Sequence, residues 1–434
     1  MNTDGFGTIP KWERHGTLFY HRYGEPRPSE KLAIFDMDST LMLTPSTLVG
    51  ELVKGNKPLI NKPAVPNDFI LYHTNVKQML QQEIQNGKAI LICSNQSQLF
   101  LKPQLSKLIF ERIRLLLEKL DIPLYIMLAT QKDFYRKPAC GMLEFYEKHL
   151  NGYIKIDKTQ SFYVGDAAGR TWTPELRDQN VQRILALLKA EDFSDRNYVR
   201  LNGRTLEKTN ANDIIAQLKP ATLKAKFDVD FSDCDYKFAL NNGLQFYTPE
   251  EYFAKLPKVR PTITFDPRNI GTNSVNIDVK DGMVVIVGPP AGGKTFLCDH
   301  YLPSFTRINV DDMRSRTSCI KKVTGHLKES DNVVLDGLNC TKIQRQEFIT
   351  VARELHVKST IIFLDVSTDF AIHFHRYRKL TEPKTRHKTT QDTIYRYYRK
   401  LEKPTIDEGY DKFIHITDES YPVMHDTVSK LFLP

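Results

Sequence analysis

Closely spaced cysteine pairs and long apolar runs are both missing from this sequence. Its six cysteines are scattered over 434 residues, and no two of them form a Cys-x-x-Cys pair. A structural zinc site or a disulfide framework is therefore not expected, and a reducing compartment is indicated. No run reaches the ~18 consecutive apolar residues that a membrane helix needs, and the N-terminal MNTDGFGTIPKWERHG lacks the apolar centre of a signal peptide. These absences predict a soluble intracellular protein.

The composition is that of a globular chain with a small basic excess. Apolar residues make up 41% and charged residues 26% of the chain. The length suits two domains of ~150–200 residues each. Lys and Arg together number 61 against 52 for Asp and Glu, which leaves a net charge of +9. A positive excess of this kind favours a polyanionic partner, because each contacted phosphate releases counterions.

Short apolar segments that end in acidic or polar residues recur along both halves of the chain. Residues 32–35 precede the acids of FDMDST, and similar segments occupy 88–96, 122–130 and 160–169. A second series begins at MVVIVG, residues 283–288. Such alternation predicts parallel strands joined by helices, with polar strand ends at the sheet edge where open α/β sheets place their active sites. The predicted fold class is α/β, with two doubly wound parallel-sheet domains.

Composition also predicts where the domains begin and end. Residues 1–30 form a short extension, and residues 31–255 form the first domain. A polar, helical stretch at about 171–228 is interpreted as an insertion in that domain. Residues 256–282, rich in Pro, Asn and Gly, are interpreted as a linker to the second domain at 283–434.

The first domain carries the residue types needed to hydrolyse a phosphate monoester. Asp36, at a strand end, is a candidate nucleophile that would form an aspartyl-phosphate, and Asp38 is a candidate acid and base. Ser94 can hydrogen-bond a phosphoryl oxygen, and Lys137 can offset its charge. Asp166, in YVGDAAGR, would join Asp36, Asp38 and one backbone carbonyl as candidate Mg²⁺ ligands, because Mg²⁺ prefers hard oxygen donors.

These residues, in this order and each after an apolar strand, resemble the motif set of the haloacid dehalogenase-like phosphatases. The commonest form of that motif has glycine where this chain has Ser39. No acid directly follows Asp166, and the sequence leaves open whether Asp230 or Asp235 supports the site.

The second domain opens with a phosphate-binding loop. MVVIVGPPAGGKTFLCDHYL is an apolar strand, a G-x-x-x-x-G-K-T loop and the start of a helix, which is the context that identifies a P-loop. Gly288, Gly292 and Gly293 would shape the loop and present backbone amides to ATP. Lys294 would bridge the terminal phosphates, and the Thr295 hydroxyl would ligate Mg²⁺.

Acids at the following strand ends indicate a kinase. Asp311 and Asp312, in RINVDDM, are candidates for the base that accepts the proton of an acceptor hydroxyl. Asp336, in NVVLDGLN, suits the metal or its surroundings. Further on, Arg376 and Arg378, with the adjacent lysine, are interpreted as a lid that closes on the phosphates. A solvated basic helix face is the alternative for these arginines.

Tyrosines alternate with basic residues between 376 and 403. Arginine with aromatic residues suits single-stranded nucleic acid, where phosphates and stacked bases are bound together. For the IYRYYRKL part, an amphipathic helix that packs on the core explains the pattern equally well, and both interpretations remain open here.

A phosphatase followed by a P-loop kinase resembles the eukaryotic polynucleotide kinase 3′-phosphatases. The resemblance extends to YRKPACGM, YVGDAAGR, FSDCDYKFALNNGLQFYTPEEYF, INVDDM and EKPTIDEGY. It implies DNA with 3′-phosphate and 5′-hydroxyl ends as substrate, ATP as phosphate donor, Mg²⁺ in both sites and a nuclear role in strand-break repair. The Asn-x-Asp of INVDDM selects Asp311 as the base by this resemblance.

Two departures from that family limit the transfer. Animal members carry an N-terminal forkhead-associated domain that binds phosphorylated repair scaffolds, and with about 30 residues before the phosphatase motifs such scaffold binding is not expected here. The segment at 171–228 is also longer than usual.

Three other functions are compatible with the same motifs. The main alternative is an RNA end-healing kinase and phosphatase, because the motifs carry no information on the 2′-hydroxyl. A small-molecule phosphatase fused to a nucleoside-type kinase is a second, and an inactive scaffold that binds DNA ends is a third.

Overall fold

The structure is a computed structural model of the whole chain. It describes residues 11–45, 66–97, 99, 106–192, 197–202, 205–216, 220, 223, 227–310, 313, 315–382, 389–422 and 427–434. Two compact units meet in sequence between Thr262 and Ile263. Within the described residues, no helix combines the length and the apolar character needed to cross a membrane.

The first unit is built on a seven-stranded sheet. In spatial order its strands, numbered along the chain, are β1 (Glu13–His15), β2 (Leu18–Tyr23), β7 (Leu124–Ala129), β6 (Ala89–Asn95), β3 (Leu32–Phe35), β8 (Phe162–Val164) and β11 (Gln245–Tyr247). The five strands from β7 to β11 are parallel. Two short antiparallel pairs accompany the sheet: β4 (Met42–Leu43) with β5 (Ile70–Leu71), and β9 (Asn197–Asn202) with β10 (Thr205–Asn210).

Helices cover both faces of this sheet. They are α1 (Val76–Gln85), α2 (Ser106–Leu120), α3 (Gly141–His149), α4 (Pro174–Ala190), α5 (Ala211–Ala216), α6 (Cys234–Asn242) and α7 (Pro249–Tyr252). Strand β3 shows why two layers are needed: Ala33 and Phe35 pack into one hydrophobic cluster, and Leu32 and Ile34 into another. All four side chains are fully buried, as expected for a parallel strand between two helical layers.

Segments that the sequence placed outside this core contribute to it. Within the predicted extension at 1–30, β1 and β2 add two antiparallel strands, so that the first sheet is mixed rather than wholly parallel. Within the predicted insertion at 171–228, Val181 and Ile184 of α4 are buried in the same cluster as Phe35. Helix α4 begins at Pro174, where the Thr173 hydroxyl accepts a hydrogen bond from the Leu176 amide. The β9–β10 hairpin was not anticipated, because the sequence indicated only helices there.

The second unit is built on a five-stranded, fully parallel sheet. In spatial order its strands are β13 (Thr306–Asn309), β14 (Val333–Asp336), β12 (Met283–Val287), β15 (Ser359–Leu364) and β16 (Lys412–Ile416). Its helices are α8 (Lys294–Tyr301), α9 (Arg316–Lys328), α10 (Lys342–Glu354), α11 (Thr368–Thr381) and α12 (Gln391–Lys400). The predicted α/β fold class, with mostly parallel sheets in both halves, is confirmed.

Much of the segment interpreted as a linker is packed against this second core. Ile270 and Ile277 are buried in one of its clusters. The backbone amides of Gly271, Asn273 and Val275 donate hydrogen bonds to carbonyl oxygens of residues 418–420. From Ile263 onward, this stretch therefore belongs to the second unit.

Candidate active sites

The first candidate site lies where the central strands of the first sheet end. Asp36 follows β3, Ser94 is the last residue but one of β6, and Asp166 comes two residues after β8. Because these three strands are parallel neighbours, their carboxyl ends meet at one edge. The structure thus brings together side chains that are up to 130 residues apart in the sequence.

Three carboxylates and one lysine form the centre of this site. Oxygen atoms of Asp36, Asp166 and Asp235 all lie within 4.8 Å of one another. The Lys137 Nζ is 2.6 Å from Asp36 Oδ1 and 2.7 Å from Asp235 Oδ1. Lys137 is only 2% exposed, so its ammonium is stable there only because two carboxylates surround it.

Lys137 is held in place from its backbone and from its side chain. The Asn95 side chain makes a pair of hydrogen bonds with the Lys137 backbone, donating to its carbonyl at 3.1 Å and accepting from its amide at 3.0 Å. The Lys137 ammonium donates to the Tyr163 hydroxyl at 2.7 Å, and that hydroxyl donates to Asp235 Oδ1 at 2.9 Å. Tyr163 was not recognised in the sequence, where it reads as an ordinary strand aromatic.

Burial and crowding shift the protonation of these groups. Burial raises the pKa of Asp36 to about 7, with the charges of Asp235 and Asp38 adding to it and Lys137 opposing it. Burial and the charges of Asp36 and Asp235 raise the pKa of Asp166 well above its usual range. Burial by itself lowers the pKa of Lys137, but Asp235 and Asp36 raise it above its ordinary value. Lys137 thus stays protonated, whereas Asp36 and Asp166 are harder to ionise because they are buried close to each other.

The structure distinguishes the two acids that the sequence left open. Asp235 joins the centre, where its Oδ2 accepts from the Ala167 amide at 3.1 Å. A Cβ at Gly165 would come within 2.6 Å of the Asp235 side chain, so glycine is required for this close approach. Asp230 instead accepts hydrogen bonds from Arg170 Nε at 2.8 Å and Trp172 Nε1 at 2.7 Å.

Asp38 lies beside the centre and is held by residues that the sequence did not single out. Its carboxylate accepts from Gln96 Nε2 at 2.7 Å and lies 3.4 Å from Arg112 Nη1. The same Gln96 nitrogen is 3.0 Å from Ser94 Oγ. The Asp38 carboxylate is 43% exposed and lies outside the three-carboxylate cluster, so part of it faces solvent.

Ser39 has the backbone conformation that explains the usual glycine at this place. Its φ is +59°, in the left-handed region that L-residues with a side chain rarely adopt. The strained turn is supported by a hydrogen bond of 2.8 Å from the Ser39 amide to the Met42 carbonyl. The chain therefore keeps the turn although it lacks the glycine.

A fully exposed phenylalanine lies on a loop at the same edge. Phe231 has an exposed fraction of 103%. Hydrogen bonds of 2.9 Å fix the backbone on either side of Phe231. The Asp230 amide donates to the Arg170 carbonyl, and the Ser232 carbonyl accepts from the Gly169 amide. The loop that carries Phe231 thus packs on the loop that follows Asp166.

The second candidate site is the loop between β12 and α8. Gly288 begins the loop, and Gly292 and Gly293 end it immediately before the helix. Gly293 has φ +84°, and a Cβ there would overlap the Tyr421 hydroxyl at 1.7 Å, so that only glycine fits. The Lys294 Nζ donates to the carbonyls of Gly288 at 3.1 Å and Pro289 at 2.8 Å, which places its ammonium within the loop.

Beyond the loop, Thr295 and Asp336 come together across two elements. The Thr295 hydroxyl, in the first turn of α8, donates to Asp336 Oδ2 at 3.2 Å at the end of β14. Arg307 of β13 donates to the same carboxylate oxygen at 2.5 Å and to Thr295 Oγ1 at 3.0 Å. Arg307 was not recognised in the sequence, because nothing in RINVDDM distinguishes it from a surface arginine.

The two candidates for the kinase base, Asp311 and Asp312, lie outside the described residues. The strand before them leads to the site: Asn309 pairs in register with Asp336, and the Val310 amide donates to the Asp336 carbonyl at 2.9 Å.

The described part of the predicted lid is helical. Arg376 and Arg378 are exposed on α11, and Arg376 Nη1 donates to the Leu433 carbonyl at 3.1 Å. Residues 383–388 of the same segment lie outside the described residues. Among the described residues, neither arginine forms a hydrogen bond with Lys294 or Thr295.

Most of the tyrosines between 376 and 403 pack inward. Tyr397 is 3% exposed, and the Tyr398 hydroxyl donates to the Val366 and Ser367 carbonyls at 2.8 and 2.9 Å. Tyr395, at 48% exposed, faces solvent. The packing alternative therefore accounts for Tyr397 and Tyr398.

The motif EKPTIDEGY has a structural explanation. Glu408 and Arg345 form a fully buried ion pair, with Arg345 Nε donating to Glu408 Oε2 at 2.7 Å. Arg345 also donates to the Asn339 carbonyl at 3.1 Å, and Asn339 donates to the Ile286 carbonyl of β12 at 2.8 Å. This chain of bonds ties the C-terminal loop to the strand that leads into the P-loop.

Comparisons with known proteins match both parts of the chain. The sequence model of the family described as "Polynucleotide kinase 3 phosphatase" matches residues 31–253, and that of "Chromatin associated protein KTI12" matches residues 304–432. A "Bifunctional polynucleotide phosphatase/kinase" of Schizosaccharomyces pombe is 26% identical over 411 residues, covering 92% of this chain and 83% of the relative. A "Putative bifunctional polynucleotide phosphatase/kinase" of Acanthamoeba polyphaga mimivirus is 27% identical over 419 residues, covering 89% and 84%.

A third relative matches a shorter part of this chain. The "Polynucleotide 3'-phosphatase ZDP" of Arabidopsis thaliana is 26% identical over 260 residues, covering 56% of this chain and 27% of the relative. The family match at residues 31–253 spans just over half of the chain and contains Asp36, Lys137, Asp166 and Asp235. On that match, and on the carboxylate and lysine cluster that it contains, this chain belongs to the polynucleotide kinase 3 phosphatase family.

Proposed function

We propose that this protein processes DNA ends, removing 3′-phosphates in its first unit and phosphorylating 5′-hydroxyls with ATP in its second. The observation that carries the proposal is the pairing of the Asp36–Lys137–Asp235 centre with a P-loop in one chain. The relatives that span most of the chain are named for both activities. A nuclear role in strand-break repair follows from the same proposal.

In the phosphatase, Asp36 is the nucleophile. Its carboxylate attacks phosphorus, the bond from phosphorus to the 3′ oxygen breaks, and Asp38 donates a proton to that oxygen. Asp38 then takes a proton from the water that hydrolyses the aspartyl-phosphate, and inorganic phosphate leaves. Gln96 and Arg112 support this role by holding the Asp38 carboxylate beside Ser94.

Lys137 contributes positive charge to the reaction and does not transfer a proton. Since Asp36 and Asp235 keep it protonated, its ammonium is suited to stabilise the phosphoryl oxygens during transfer. Ser94, 1% exposed at the end of β6, offers a hydroxyl to the same oxygens.

The carboxylate cluster fits Mg²⁺. Its donors are hard oxygens. Burial and neighbouring carboxylates raise the pKa values of Asp36 and Asp166, so a bound cation would stabilise their ionised forms. Asp36 and Asp166, with Asp38 through its backbone, would hold the ion. The ion would offset the charge of the phosphate that Asp36 attacks.

In the kinase, the chain's own groups bind ATP and activate the 5′-hydroxyl. Loop amides at Gly292 and Gly293 and the Lys294 ammonium would bind the phosphates, and Thr295 with Asp336 would hold Mg²⁺. Asp311 would accept the proton of the 5′-hydroxyl as its oxygen attacks the γ-phosphate. Arg376 and Arg378 would approach the phosphates when the segment around them closes.

One reaction tests both halves of the proposal. The protein is incubated with ATP, Mg²⁺ and a DNA oligonucleotide that carries a 5′-hydroxyl and a 3′-phosphate, and both ends are followed. We expect loss of the 3′-phosphate and gain of a 5′-phosphate. Turnover of a free nucleoside 3′-monophosphate at the rate of the oligonucleotide would contradict a polynucleotide substrate. Adding an RNA oligonucleotide with the same ends at equal concentration tests the preference for DNA or RNA. Preferred use of RNA would favour the end-healing alternative.

A further inference from the structure

Arg307 lies where a divalent cation would be expected in the kinase site. Its Nη2 is 2.5 Å from Asp336 Oδ2 and 3.0 Å from Thr295 Oγ1. The Thr295 hydroxyl is itself 3.2 Å from the same Asp336 oxygen. One positively charged nitrogen therefore faces both oxygen groups that would hold Mg²⁺.

The pairing of two strands places Arg307 beside Asp336. Arg307 is on β13, which pairs in register with β14 up to Asn309 and Asp336. The Arg307 side chain is 33% exposed, and that of Asp336 is 6% exposed. A carboxylate so buried is costly unless a cation or a donor accompanies it, and in this structure the guanidinium provides the cation.

A second carboxylate offers the guanidinium another partner. Arg307 Nη1 lies 3.3 Å from Asp299 Oδ1 on α8, and the Asp299 side chain is 56% exposed. Rotation of the Arg307 side chain toward Asp299 would free Asp336 and Thr295 while the guanidinium kept an ion-pair partner.

We propose that Arg307 is a positioning residue that serves as an internal counter-cation of the kinase site. It holds Asp336 and Thr295 in place in the nucleotide-free protein and moves to Asp299 when Mg²⁺-bound nucleotide enters. The guanidinium and Mg²⁺ compete for the same oxygens. Displacement of Arg307 therefore costs free energy and weakens the binding of Mg²⁺. The inference rests on the proposed kinase function, in which Thr295 and Asp336 are the metal-holding groups.

The test is the dependence of ADP affinity on Mg²⁺ in the full-length protein. ADP affinity is measured by calorimetry with and without Mg²⁺, for wild type, Arg307→Gln and the control Arg268→Gln. Arg268 is in the same unit and pairs with Asp266 at a distance of 2.5 Å between Nη2 and Oδ2. We expect Arg307→Gln to enlarge the Mg²⁺-dependent gain in ADP affinity roughly tenfold, the effect of one charged hydrogen bond. Metal-free ADP affinity and the control variant should be unchanged.

Asp299→Asn is the second variant, and it should act in the opposite direction. Without Asp299 the displaced guanidinium loses its partner, so the Mg²⁺-dependent gain should shrink severalfold. The melting temperature of the nucleotide-free protein should fall in Arg307→Gln, because Asp336 is left buried without a cation.

Different failures have different meanings. An unchanged Mg²⁺-dependent gain in both variants would overturn the counter-cation role. A loss of ADP affinity in Arg307→Gln that is equal with and without Mg²⁺ would also overturn it, because Arg307 would then contact the nucleotide itself. Absence of ADP binding in the wild type would contradict the proposed kinase function, and the inference would fall with it.

Discussion

Asp36 shows how burial and catalysis are connected at the level of one residue. As the proposed nucleophile it must be ionised, yet burial raises its pKa to about 7. A carboxylate with a raised pKa binds its proton more tightly in the folded protein than in the unfolded chain. Stability from this group is therefore present at low pH and is lost as pH rises toward about 7. A cation in the cluster would reverse that loss.

The first prediction concerns Mg²⁺ affinity and pH. Since Mg²⁺ must displace a proton from Asp36 below its pKa of about 7, affinity should weaken about tenfold for each pH unit below that value for one displaced proton. Calorimetric titration of the nucleotide-free protein between pH 5.5 and 8 measures this. Asp36→Asn, which removes the proton at this position but not the one on Asp166, is the control and should bind more weakly with a flatter dependence. A flat profile in the wild type would place the metal away from Asp36.

The second prediction concerns the kinase base. Asp311→Asn keeps the shape of the side chain but removes its basicity, so 5′-phosphorylation should slow by roughly 10²–10⁴-fold. ATP affinity and 3′-phosphate removal should hardly change. Asp312→Asn is the matched control. It should be much milder if the segment is extended, because successive side chains of an extended chain point to opposite sides. A fall in ATP affinity in Asp311→Asn would mean that the residue holds metal or nucleotide.

At the level of elements, the loop between Asp230 and Asp235 carries an exposed aromatic side chain beside the phosphatase centre. One end is tied to Arg170 and the other to Lys137 and Tyr163. Phe231 is fully exposed between them. Phe231 lies four positions before Asp235, which limits the distance between them along the chain to at most about 14 Å.

The third prediction is that Phe231 stacks on a base near the 3′ end. Base stacking on an aromatic side chain contributes ~1–3 kcal/mol per base, so Phe231→Ala should raise KM for a 3′-phosphorylated oligonucleotide by roughly tenfold. Hydrolysis of p-nitrophenyl phosphate, which has no base, should be unaffected. Tyr153→Ala is the control: Tyr153 is 94% exposed in the same unit and follows α3, near the residues that precede β3. Equal loss on both substrates would mean that Phe231 supports the loop rather than the substrate.

At the level of the whole molecule, the candidate groups of each site lie within one unit. Asp36, Lys137, Asp166 and Asp235 precede Thr262, and the P-loop, Thr295 and Asp336 belong to the second unit. The two activities should therefore be separable by mutation.

The fourth prediction tests this independence. Asp36→Ala should reduce 3′-phosphate removal below ~1% of wild type, since no aspartyl-phosphate can form, and leave 5′-phosphorylation near normal. Lys294→Ala should silence only the kinase. Each variant is the control for the other, with both ends of one oligonucleotide followed. Loss of both activities from either substitution would indicate a shared site or misfolding.

The sequence alone determined those features that local pattern encodes. Apolar segments that end in Asp36, Ser94 and Asp166 predicted parallel strands and their polar edge, because a strand buried on both faces leaves a continuous apolar run in the sequence. The P-loop could also be recognised from the sequence, since its glycines and Lys294 lie in one short motif.

Only the tertiary structure decided which distant side chains meet. Asp235 and Asp230 are equivalent in sequence, and their separation depends on how Gly165 lets one of them approach β8. Arg307 approaches Asp336 only because β13 and β14 are parallel neighbours. Such contacts arise from packing between elements far apart in the chain, and no local pattern of residues specifies them.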